Sequence, residues 1–151
     1  MKKALLIGNI IAGVFAANVW AGDTIGSVDT GFKLFGKNNK IEVSAFDDPK
    51  VKGVTCYISR PIQGGITGGL GLSEERSDTG IACRAVGNEK PVITASFKNG
   101  ESVFQESRNI LFKELNVTRF YDAQRKVIIY ITATRGLVDG SPKHSITAVP
   151  L

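Results

Sequence analysis

Tryptophan, methionine and histidine each occur once in these 151 residues, and cysteine twice. Met1 and Trp20 both lie within the first 21 residues, so the rest of the chain has neither. Lack of tryptophan removes the usual platform for sugars and most aromatic cages for quaternary amines, leaving only Tyr and Phe for such a role. His144 and the two cysteines fall short of the four ligands of a zinc site. Calcium needs six to eight oxygens, and Asp47-Asp48-Pro49 stands outside any D-x-D-x-D-G spacing. The pair reads better as a turn in which Pro49 holds Asp48 extended and an Asx-type bond begins the bend. No run of three positive charges occurs, which argues against a nucleic-acid surface. No metal, cofactor or nucleic-acid partner is expected.

Only one long apolar stretch is present, and it comes first. Lys2 and Lys3 precede the apolar residues 4–17, and in Val19-Trp20-Ala21 the compact Val19 and Ala21 stand at the third and first positions before Gly22. This is the three-part pattern of a cleavable secretory signal over residues 1–21, with cleavage before Gly22. The stretch is short for a membrane span, which takes about 20 apolar residues, and Asn9 interrupts it. A periplasmic location is expected, with no stable membrane insertion after cleavage. Losing Lys2 and Lys3, and no acid, lowers the net charge from +5 to +3. Residues 22–151 are enough for one domain with a core of its own.

Cys56 lies in Val54-Thr55-Cys56-Tyr57-Ile58 and Cys83 in Ile81-Ala82-Cys83-Arg84-Ala85. Both segments alternate, and each cysteine shares its face with apolar residues, so both thiols are expected to point inward. Two inward thiols in an oxidising compartment pair. The chain-entropy model values such a bridge at roughly 3–4 kcal/mol. A redox pair would be closer in sequence, as in C-x-x-C.

Period-two alternation and β-branched content predict strands over 40–46, 53–60, 80–86, 103–107, 110–115, 117–122 and 126–134. In the first, Ile41, Val43 and Ala45 share a face. Val127 to Ile131 is apolar throughout, as a central strand would be. Asp122-Ala123-Gln124-Arg125 suits a hairpin turn. Ser73 before Glu74 and Glu75 caps at most a short helix. The fold class is mainly β, a single antiparallel sandwich or partly open barrel with one or two short helices.

Several segments taken together are similar to the CreA family: Ile25-Gly26-Ser27-Val28-Asp29-Thr30, Ala45-Phe46-Asp47-Asp48-Pro49, Val54 to Arg60, Gly64 to Leu72, Arg119-Phe120-Tyr121-Asp122, and Gly140-Ser141-Pro142-Lys143 continuing to Ala148-Val149-Pro150. The likeness spans residues 22–151 in order. It implies a small secreted bacterial protein, and it brings no established biochemical role and no catalytic residues.

The glycine-rich stretch with Gly64, Gly65, Gly68, Gly69 and Gly71 is the most unusual feature. It lacks the lysine of a phosphate-binding loop, and Glu74 and Glu75 just after it would repel an anion. It is the first choice for a contact loop, since binding functions concentrate in long connections. His144, with Ser141 and Asp139 nearby, invites a hydrolase reading. Neighbours in one loop seldom converge as a triad does, and no G-x-S-x-G elbow is present, so His144 reads as a surface or turn residue. Two functions follow: a non-catalytic periplasmic module that binds a partner protein or small ligand, or a hydrolase with an unrecognised site involving His144. The first is preferred, with no catalytic residue assigned.

Overall fold

The computed structural model describes residues 22–65, 79–107, 114–135 and 143–151. Among these described residues, ten strands follow in order: β1 (Asp23–Gly31), β2 (Asn39–Asp47), β3 (Val51–Lys52), β4 (Val54–Ile62), β5 (Gly80–Ala85), β6 (Val92–Ile93), β7 (Glu101–Ser107), β8 (Glu114–Asp122), β9 (Val127–Arg135) and β10 (Lys143–Pro150). They form one antiparallel sheet in the order β1-β2-β4-β5, a second in the order β10-β9-β8-β7, and a two-stranded ribbon of β3 and β6. The sheets do not close into a barrel, and the arrangement is that of a β-sandwich. Among the described residues no helix is long and apolar enough to cross a membrane. The helix expected after Ser73 falls outside the described residues.

Alternation builds the second sheet. In β8, Leu115, Val117 and Arg119 turn inward; in β9, Ile128, Tyr130 and Thr132 do the same. β9 is central, as its apolar run predicts, with its outer face half-buried. Asp122 shapes the β8–β9 turn: its Oδ1 accepts the Arg125 N–H (3.1 Å) and its Oδ2 accepts the Arg125 guanidinium (2.8 Å). Lys126 closes this turn in the left-handed region, at φ 55°.

In the first sheet the disulfide joins Cys56 and Cys83, which lie directly opposite one another on β4 and β5. Both are buried, alongside Val54 and Ile58. Phe46 from β2 stacks on Phe104 from β7, with ring centres 4.8 Å apart, and this contact bridges the two sheets. On one side of the sandwich β5 runs beside β10, where the Cys83 N–H donates to Thr147 Oγ1 (3.2 Å).

β2 turns its polar face inward. Its buried side chains are Glu42, Ser44 and Phe46, whereas Ile41 is exposed and Val43 and Ala45 are only half-buried. The physical reason lies across the ladder. Glu42 pairs in register with Arg60 on the inward face of β4, and Arg60 donates to Glu42 (2.8 Å) and to Glu106 of β7. The acid is therefore neutralised inside, which lets the apolar side of β2 face out.

A second charged cluster ties the end of β2 to the opposite sheet. The Asp48 side chain is fully buried, and so is that of Arg119, which donates to Asp48 Oδ1. The same oxygen accepts the N–H groups of Lys50 (2.8 Å) and Val51 (3.2 Å), the first of these being an Asx turn. Asp48 Oδ2 accepts the Tyr130 hydroxyl (2.7 Å). Arg119 also donates to Glu101 (2.9 Å) and lies 3.8 Å from the centre of the Phe97 ring. Lys50 completes the cluster as a second donor to Glu101.

Burial, and then the hydrogen bond to Asp48, push the Tyr130 phenol well above its ordinary 10.0, so it stays a donor. Tyr130→Phe leaves Asp48 Oδ2 without that donor. It is expected to cost about 2 kcal/mol in urea unfolding, the range for a hydrogen bond to a buried charge. The Lys50 hydrogen bond, with a further contribution from Arg119, holds the Glu101 carboxyl below its ordinary 4.5. The unfolded chain therefore binds more protons just below that value. The stabilisation from Glu101 is complete above 4.5 and disappears as the pH falls through the lower folded value. Urea midpoints measured down an acid series should decline less steeply for Glu101→Gln than for the unaltered chain.

Candidate functional site

The β1–β2 connection and the start of the glycine stretch meet at one end of the first sheet, where Lys40 pairs with Ile62. The Gly65 N–H donates to the Lys37 carbonyl (2.7 Å), and the Gly64 N–H donates to Asn39 Oδ1 (2.9 Å). Asn38 pins the loop to β1 by accepting the Lys33 N–H (3.1 Å) and donating to Asp29 (3.1 Å).

Glycine is required at this junction by space as well as by conformation. Gly64 is buried, and a Cβ there would stand 1.7 Å from the Lys37 carbonyl oxygen. Gly36 has φ +87°, and a Cβ there would lie 2.8 Å from the Gly65 Cα. Two stretches of main chain are thus in direct contact. Gly64 and Gly65 serve as the anchor of this junction, with Gly64 packed beneath the neighbouring loop; Gly68, Gly69 and Gly71 lie outside the described residues.

The anchored loop carries Phe32, Leu34 and Phe35 at 81, 77 and 71% exposure. Beside it runs the outward face of the first sheet. Register places Val28, Ile41 and Pro61 side by side across β1, β2 and β4, then Gly26, Val43 and Ser59, then Ala45, Tyr57 and Ala82 at the β2, β4 and β5 positions. Val28, Ile41 and Tyr57 are all exposed. β1 is uncovered on both faces over nearly its whole length and forms the outer edge of its sheet. Sequence alternation identified 41, 43 and 45 as sharing a face and left open which way that face points. The signal that could have decided it was Glu42 and Arg60, two charges of opposite sign on the other face.

The remaining candidates separate. Asp48 is committed to Arg119, Tyr130 and two backbone donors, and Asp47 accepts the Thr55 hydroxyl (2.6 Å). Among the described residues, no group of three or more His, Cys, Asp or Glu side chains is placed to hold a metal ion. His144 sits on strand β10 opposite Ala133, exposed, and so is not in a turn. Two open depressions lie at the ends of the first sheet, one beside Lys37 and Gln63 and another beside Pro49 and Thr55, and His144 lines neither of these. Ser141 and Asp139 lie outside the described residues. Arg119 and Tyr130, which sequence reasoning missed, are buried structural groups.

Gly64→Ala drives a methyl group into the Lys37–Asn38 backbone across the junction. The expected cost is roughly 2–3 kcal/mol of stability, the upper range for overpacking, measured by urea unfolding.

Comparison with known proteins matches the family model "CreA protein" over residues 25–151. Protein CreA of Escherichia coli strain K12 is 50% identical over 134 residues, covering 85% of this chain and 83% of that protein. Protein CreA of Escherichia coli O157:H7 matches to the same extent. No solved structure matches. With the family model matching nearly all the described residues and a relative half identical over most of the chain, the chain belongs to the CreA family.

Proposed function

We infer that this chain is an exported periplasmic interaction module, without catalytic activity, that receives a partner protein on the outward face of its first sheet. The observation that carries this reading is the orientation of β2, which buries Glu42 and Ser44 and turns Ile41, Val43 and Ala45 outward. A strand face of that composition is normally covered, and contiguous exposed apolar surface marks contact sites. An open sheet face suits a protein surface better than a small ligand, which binds in an enclosing cleft. The leader-like residues 1–21 and the disulfide both fit an oxidising compartment. Arg60, Arg119 and their carboxylates are internal ion pairs, so they supply structure and not chemistry at a surface.

A photo-crosslinking side chain placed at Ile41 or at Tyr57 should capture the same protein in cells, identified by mass spectrometry. One placed at Glu89, exposed on the connection after β5 at the other end of the sheet, should capture nothing in common with them. Val43→Asp should abolish the shared capture while leaving the free energy of urea unfolding within about 1 kcal/mol of the parent, as for a partly exposed site. Equal capture from Glu89, or none from the two face positions, defeats the reading. N-terminal sequencing of the exported form should begin at Gly22.

A further inference from the structure

The loop between β1 and β2 has a composition distinct from the sheet face beside it. Residues 32–38 read Phe-Lys-Leu-Phe-Gly-Lys-Asn, with three large apolar side chains, two lysines and no acid. Phe32, Leu34 and Phe35 are each more than 70% exposed, so they project from the surface and rest in no groove of this chain. Among the described residues neither Lys33 nor Lys37 has a carboxylate partner. The nearby Lys40 is paired with Glu42, and Asp29 is engaged by Asn38. The tip is thus apolar at its points, with a net positive charge.

This loop is also held in shape. Four hydrogen bonds, from Lys33 to Asn38, Asn38 to Asp29, Gly65 to Lys37 and Gly64 to Asn39, fix it against β1 and the end of β4. The glycine contact locks its base. Preorganised apolar groups lose little freedom when they enter a second phase.

We propose that this tip docks the protein on an anionic lipid bilayer, with Phe32, Leu34 and Phe35 entering the interface and Lys33 and Lys37 meeting the headgroups. Aromatic and aliphatic side chains flanked by lysines are the chemistry of interfacial binding. The lysine stem lies along apolar surface while its ammonium group stays at headgroup level. Such lysines are attracted by negative surface charge, and salt screens that attraction. A projecting tip suits a deformable surface, whereas a protein partner for it would have to offer a deep apolar pocket lined with acids. The inference concerns the loop and does not require the sheet face to hold a partner.

The test is cosedimentation of the purified protein with vesicles of equal parts phosphatidylglycerol and phosphatidylcholine, against vesicles of phosphatidylcholine alone. Binding to the anionic vesicles is expected, weakening in high salt and falling about fivefold for each of Lys33→Gln and Lys37→Gln. The double variant Phe32→Ser, Phe35→Ser should lose binding yet keep the urea midpoint of the parent, because both rings are exposed. Ile146→Ser, an exposed apolar position on the other sheet, should bind like the parent. Absence of binding to the anionic vesicles overturns the proposal, as does equal binding to neutral ones or full binding by the Phe double variant. Those results would leave capture through Ile41 and Tyr57 untouched, so the two readings fail separately.

Discussion

The Asp48 carboxylate is the point on which the sandwich depends. It ends β2, shapes the Asx turn into β3, and is the only acid among the described residues whose side chain is wholly sealed inside. A buried charge is tolerated only when its oxygens are occupied and its charge is met. Arg119 meets the charge, and Tyr130 with two backbone N–H groups occupies the remaining sites. Arg119 and Tyr130 come from β8 and β9 of the opposite sheet, so the carboxylate can be satisfied only when the two sheets are in register. An apolar core would have allowed sliding; a charge with directional partners does not.

The same logic explains the polar inward face of β2. Once Glu42 and Arg60 are committed to each other and to Glu106 across the sandwich, the apolar alternate set has nowhere to go but outward. Polar contacts thus specify the inner arrangement, while hydrophobic side chains remain available at the surface. Buried pairs of this kind add little to stability beyond well-packed apolar residues, and what they confer here is a defined alignment of the sheets.

Much of the framework was legible in the sequence, and the exceptions have physical causes. β4, β5, β7, β8 and β9 follow from alternation and β-branched content, and the turn at Asp122 from its local hydrogen bonds. β8 runs unbroken from Glu114 to Asp122, although Asn116 suggested a boundary between two strands. β1 escaped notice because Gly26, Ser27 and Asp29 dilute its pattern and two register shifts interrupt its pairing. β10 was hidden behind Gly140-Ser141-Pro142, which reads as loop. The candidate surface was legible only in part. Alternation shows which residues share a face, but which face is inside depends on partners far away in sequence, such as Arg60 and Glu106.

The contact between Gly36 and Gly65, with Gly64 beneath Lys37, carries an evolutionary consequence. Two loops separated by β2 and β4 touch here main chain to main chain, so no side chain at the contact could shrink to absorb an added Cβ. Residues 36–39 and 64–65 therefore form one unit of inheritance: a substitution in either stretch is tolerated only when the other moves to match. Across related chains these positions should vary together, or not at all.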